Sequence, residues 1–85
     1  MYYVYVILNE KGDNYIGYSQ DIENRLKQHN RGENVSTRGH VWRLVYNEAF
    51  LSKIDAKYRE QNLKQRGQAK RHLFERIKHS MENPS

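Results

Sequence analysis

The run Tyr2-Tyr3-Val4-Tyr5-Val6-Ile7-Leu8 limits what this chain can become more than any other stretch. It is far shorter than the roughly 20 apolar residues that a membrane-spanning helix needs. Its residues are aromatic or β-branched, side chains that pack well on a pleated surface, so it reads as a β-strand. Glu10-Lys11-Gly12-Asp13 follows as turn chemistry, with Gly12 free to take a positive φ. Asn14 to Tyr18 then returns as a second strand and closes an antiparallel hairpin. The period of two along a strand puts Tyr3, Tyr5 and Ile7 on one face and Val4, Val6 and Leu8 on the other. The same pleat aligns Tyr15 with Gly17.

The remaining elements follow in order. Asp21 is placed to cap a helix whose Ile22, Leu26 and His29 form an inward stripe, with Arg25 at its border. Asn30 to His40 is polar and without periodicity, which marks a long exposed loop. Trp42 to Phe50 reads as a third strand, with Trp42, Leu44 and Tyr46 alternating against Arg43, Val45 and Asn47. Ser52-Lys53-Ile54-Asp55 resembles a capping box and opens a helix expected to reach Arg66 and stop at Gly67 as its C′ residue. A last helix is expected from Ala69 to Ser80, with Leu73, Phe74, Ile77 and Met81 as its apolar side. Residues 1–81 should form a single domain, and Glu82 to Ser85 a disordered C-terminal tail. The order β-β-α-β-α-α implies an α+β fold with a small, three-stranded, mainly antiparallel sheet flanked by helices.

Charge narrows the class of partner. A net charge of +5 and a pI near 9.6 favour polyanions, nucleic acid among them. The absence of cysteine excludes disulfides and thiolate metal sites. Nothing basic precedes the apolar run and no small-residue cleavage site follows it, so a cytoplasmic protein is expected, with no membrane partner. No Ser-His-Asp arrangement, glycine-rich phosphate loop or paired-His metal site is present.

Glu60 is the most informative single position. On a helix opening near Lys53 it shares a narrow sector with Ala56 and Leu63, and a carboxylate on the buried side is costly without a compensating charge. That charge is either a divalent metal or an ion-pair partner, with Lys57, Lys64 and Arg25 as candidates. Arg25 is read as pairing with Asp21 or as meeting an anion, and His29 as packed or as a site group. Gly17 marks either a close backbone approach or a bulge.

The segment Tyr15-Ile16-Gly17, with Arg25 ten positions after its tyrosine and Tyr3-Val4-Tyr5 upstream, resembles the signature of the GIY-YIG nuclease family. The resemblance also takes in Lys57 to Lys64, where the family carries the glutamate that is the sole protein ligand to its metal ion. It implies a three-stranded sheet flanked by helices and a metal-dependent DNA endonuclease, acting on branched or damaged DNA in repair or recombination. On this pattern Tyr5, Tyr15, Arg25, His29 and Glu60 are catalytic: Tyr5 relays the proton of the attacking water and Arg25 binds the scissile phosphate. Glu60 would hold Mg²⁺ or Mn²⁺, since one carboxylate with waters and phosphate oxygens suits a hard cation that keeps its hydration shell. Gly17 would let phosphate approach the backbone, and Arg31, Arg38, His40, Lys64, Arg66, Lys70 and Arg71 would track the DNA backbone. The chain departs from some relatives at Tyr18, where they place a lysine, leaving Lys11 and Lys27 as candidates to activate Tyr5. Relatives attach the domain to a separate DNA-binding domain, so a protein partner that supplies specificity is expected. The alternative is a catalytically weak or inactive DNA-binding or accessory module that retains the same surface.

Overall fold

The expected hairpin forms the middle and one edge of the sheet. A computed structural model describes residues 1–82. Strand β1 (Tyr2–Asn9) pairs antiparallel with both β2 (Asn14–Ser19) and β3 (Trp42–Phe50), giving the order β2-β1-β3. The central position of β1 explains its composition: Val4 through Asn9 are all buried, because both faces of the strand are covered. Helix α1 (Ile22–Asn30) covers the face that carries Tyr5, Ile7 and Trp42, with Tyr15, Ile22 and Leu26 packed beside them. Helices α2 (Lys53–Gln65) and α3 (Gly67–Arg76) cover the other, where Ala56, Leu63 and Leu73 meet Val4, Val6 and Ile16. Each fully buried aliphatic side chain in these layers contributes roughly 1.5–3 kcal/mol relative to exposure. A short helix α4 (Lys78–Met81) ends the described chain. No helix among the described residues is long and apolar enough to cross a membrane.

The local signals act as read. The Asp21 carboxylate accepts from Asn24 N–H at 3.1 Å, and Ser52 Oγ accepts from Asp55 N–H at 3.4 Å. Gly12 sits at φ +84°, while Asn9 Oδ1 accepts from the N–H groups of Lys11 and Asp13 to brace the hairpin turn.

Three expectations are corrected. The alternation of β3 breaks: Val6 lies opposite Tyr46 but Ile7 opposite Leu44, so Val45 is an extra residue. That bulge sends Trp42 to the Tyr5 face and Tyr46 to the Val4 face, serving both cores from one strand. Gly67 does not close α2. Arg66 turns extended (φ −111°, ψ 106°) and ends the helix, and Gly67 opens α3, so no left-handed cap is needed. The last helix is not continuous but breaks at Ile77 (φ −108°, ψ 21°). Beyond the break, Arg43 donates to the carbonyls of Ser80, Met81 and Glu82 at 3.2, 2.9 and 3.1 Å. A cation there satisfies carbonyls that a helix C-terminus otherwise leaves unpaired. Of the expected tail, Glu82 is thus held by its carbonyl, and 83–85 lie outside the described residues.

Candidate active site

Tyr5 on β1 and Gly17 on β2 are directly opposite in the ladder, and their side chains would share one space. A Cβ built on Gly17 falls inside the Tyr5 phenol, 2.8 Å from Cε2 and closer still to Cζ and the hydroxyl. Glycine at 17 therefore lets the tyrosine ring cross the neighbouring strand. This gives glycine a packing reason at 17, beside the room for phosphate that the resemblance implies.

The ring is aimed at α1. Tyr5 Oη lies 2.7 Å from His29 Nε2, and His29 Nδ1 lies 2.8 Å from Thr37 Oγ1. Thr37 belongs to a 3-10 turn, Val35–Thr37, which Asn34 caps by accepting from Ser36 N–H. The Thr37 hydroxyl donates to Asn34 O at 3.4 Å, so its lone pair faces the imidazole. That assigns the proton to Nδ1 and makes Nε2 the acceptor of the tyrosine O–H. Tyr5 and His29 are 1% exposed and Thr37 is fully buried, so the chain of bonds lies inside the protein. Burial pushes the Tyr5 phenol up to about 12, against the pull of the Arg25 guanidinium. Burial also lowers the His29 pKa, and the positive charge of Arg25 lowers it further, which leaves the imidazole neutral at pH 7.

Arg25 sits one turn before His29. Its Nη1 donates to Gln28 Oε1 at 3.2 Å, while its Nε is buried without a partner. An unsatisfied buried donor costs about 1–3 kcal/mol, more when charged. The Asp21 carboxylate is engaged at the helix cap instead, so the ion pair weighed for Arg25 is not formed. A cleft of about 480 Å³ opens beside the guanidinium, lined by Arg25, Gln28, His29, Glu33, Asn34 and Val35.

On the other side of the β2 edge, the Glu60 side chain is 15% exposed and meets Lys64 Nζ at 3.3 Å. Lys64 Nζ also lies 5.5 Å from the centre of the Tyr15 ring, which in turn packs edge-on to His29 at 5.0 Å. Of the partners considered for Glu60, Lys64 is therefore the one used; Lys57 lies over the Tyr18 ring at 4.5 Å. No group of three or more His, Cys, Asp or Glu side chains is gathered for a metal among the described residues. Glu60 alone fits a hard cation that keeps its waters and draws further oxygens from a phosphate, and does not fit zinc.

The other basic candidates divide. Arg31 pairs with Glu33 at 2.8 Å, Arg38 donates to Gly32 O at 3.0 Å, and His40 bonds Glu10 at 2.6 Å. These three shape the loop and its anchor to the hairpin turn. Glu10 also accepts from Val41 N–H, and these bonds hold its carboxyl down at about 2. Arg66, Lys70 and Arg71 lie around the junction of α2 and α3. Lys11 and Lys27 are exposed, and the group beside Tyr5 is His29. Trp42 is a core residue, its indole N–H donating to Thr37 O at 2.8 Å. Sequence reasoning missed Thr37, Asn34 and Gln28. An Asn three residues before a Thr is a turn-capping signal, but nothing local shows that the threonine is buried.

A family model described as the GIY-YIG catalytic domain matches residues 1–73. A UPF0213 protein of Halobacterium salinarum is 38% identical over 73 residues, spanning 84% of this chain and 95% of its own. One of Staphylococcus saprophyticus is 38% identical over 66 residues, spanning 74% and 79%. The solution NMR structure of a UPF0213 protein from Bacillus halodurans is similar at a TM-score of 0.56 and 34% identity, covering 92% of this chain and 86% of that one.

Proposed function

Because the chain belongs to the GIY-YIG catalytic domain family, we propose that it is a metal-dependent endonuclease that hydrolyses phosphodiester bonds in DNA. The observation that carries this reading is the buried, unpartnered Nε of Arg25 beside the Tyr5–His29 hydrogen bond. A planar cation with a free donor is suited to a phosphate oxygen, and there it offsets charge that grows on the equatorial oxygens.

Tyr5 is not a base by itself. A phenol near 12 stays protonated at neutral pH, so it accepts a proton from water only as its own passes to His29 Nε2. Neutral His29, oriented by Thr37, is the acceptor that makes this relay possible. It fills the role for which Lys11 and Lys27 were candidates. Tyr15 packs against the imidazole and faces the same edge as Lys64. Glu60 would hold Mg²⁺ or Mn²⁺, which when bound supplies Lewis-acid stabilisation of the leaving oxygen. Tyr5 is covered in the free protein, so on this reading its hydroxyl has to be uncovered before water reaches it.

That same burial favours the rival, a DNA-binding or accessory module that does not cut. Incubating labelled linear, nicked, flapped and four-way branched DNAs with Mg²⁺ or Mn²⁺, beside Glu60→Gln and Tyr5→Phe proteins, decides between them. Metal-dependent cutting by the wild type, lost in both variants, is expected. Binding without cutting on every substrate would replace the enzyme with the module.

A further inference from the structure

Lys64 balances the charge of Glu60 but has no part in the proposed chemistry. It lies on α2 one turn after Glu60, with its ammonium 3.3 Å from the carboxylate that would take the metal. Its side chain is 44% exposed, and its second contact is the face of Tyr15. A cation already on the lone carboxylate repels a divalent ion seeking the same oxygens. It also compensates the charge of Glu60, whose side chain is only 15% exposed.

We propose that Lys64 is a resident counter-ion that occupies Glu60 until a phosphate arrives, so that metal binding and DNA binding are coupled through it. The inference rests on the reading of Glu60 as the metal ligand. A phosphodiester held by Arg25 gives Lys64 a second anionic partner, drawing the ammonium off the carboxylate, and offers the metal further oxygen ligands. The same Lys64 thus weakens the metal site in the free protein and contributes to phosphate binding in the complex. Linkage makes the effect reciprocal: the factor by which DNA tightens metal is the factor by which metal tightens DNA. An exposed i,i+4 pair without this role is worth little to stability, and DNA would then tighten metal binding by the same factor with or without Lys64.

The test reads metal binding, not cutting. Mn²⁺ is titrated by electron paramagnetic resonance into Tyr5→Phe protein, which leaves DNA intact, with and without a short flapped duplex. Lys64→Met, Lys64→Arg and Glu60→Gln are made in the same background, and thermal melts confirm that each folds. Without DNA, Lys64→Met should bind Mn²⁺ about tenfold more tightly, the scale for removing one like charge a few ångströms from a divalent ion in a wet site. DNA should tighten Mn²⁺ binding markedly in the parent, less in Lys64→Met, and Lys64→Arg should behave as the parent. Equal or weaker Mn²⁺ binding by Lys64→Met, with Glu60→Gln still abolishing it, overturns the counter-ion role and leaves the metal reading standing. Mn²⁺ binding that is absent, or indifferent to Glu60→Gln, overturns both.

Discussion

Replacing Gly17 by alanine separates two accounts of the YIG glycine. The added methyl would occupy the volume of the Tyr5 phenol, and Tyr5 has no empty side to retreat to: it is 1% exposed and packed with Ile7 and Trp42, with Tyr15, Ile22 and Leu26 around them. Gly17 does not use a positive φ, so backbone strain adds nothing and the cost is overpacking alone. Forced shifts of this kind cost about 1–3 kcal/mol. At roughly 4–8 °C per kcal/mol for a domain of this size, Tm should fall by about 5–20 °C. Moving the ring also breaks the 2.7 Å bond to His29, so cleavage should fall with stability. The assay is a thermal melt of Gly17→Ala, Tyr5→Leu and the double variant. If the clash is the cause, removing the aromatic ring relieves it, and the cycle shows a coupling of about 1–3 kcal/mol between the two positions. A Gly17→Ala protein that melts within about 0.5 kcal/mol of wild type yet fails to cut would refute the packing argument and restore phosphate approach as the reason for glycine.

Two further outcomes follow from the same geometry. His29 must be neutral to accept from Tyr5, and its pKa is depressed, so the acid limb of cleavage should lie below the ordinary histidine value of about 6.5 and disappear in His29→Gln. The stability that His29 contributes is likewise complete above about 6.5 and declines as pH falls below it, because the unfolded chain binds the proton first; an acid limb at or above 6.5 would contradict the buried, neutral imidazole. Arg43→Met keeps the aliphatic stem but loses bonds to three carbonyls, so it should cost about 1 kcal/mol and speed amide exchange in α4 selectively, checked by melts and hydrogen exchange.

What the sequence shows well is local. Asp21 and Ser52 announce helix starts because a cap is a bond between near neighbours, and the run Tyr2–Leu8 announces a strand because its residues are aromatic or β-branched, while its central place comes only from the pairing. Tyr5, Arg25 and His29 come together because two of them share a helix face and the third lies on the strand that this face covers. The bulge at Val45 is different. It arises because Trp42 is needed by one core and Tyr46 by the other, a demand made by two layers that no period within β3 encodes. Thr37 escapes for a similar reason: a single threonine in a polar run has no pattern, and its burial depends on Trp42 and His29 arriving from elsewhere. The choice among lysines for Glu60 follows helical phase, since Lys64 reaches back one turn while Lys57 is drawn to Tyr18.

The free protein keeps its reactive pair covered and its cations on second-best partners. Arg25 holds one amide oxygen of Gln28 and leaves a buried nitrogen unpaired; Lys64 shares a carboxylate and an aromatic face. On the proposed reading a phosphodiester is the better partner for both, so the contacts that bind it would also uncover Tyr5 and free Glu60. Binding energy used in this way lowers affinity relative to what the contacts alone would give, and commits the site to act only when phosphate is present. It follows that variants that hold Arg25 or Lys64 away from their resting partners should bind DNA or metal more readily and gain no comparable rate. On the proposed reading, the resting contacts set when the site opens, and Tyr5, His29 and Glu60 set what it does once open.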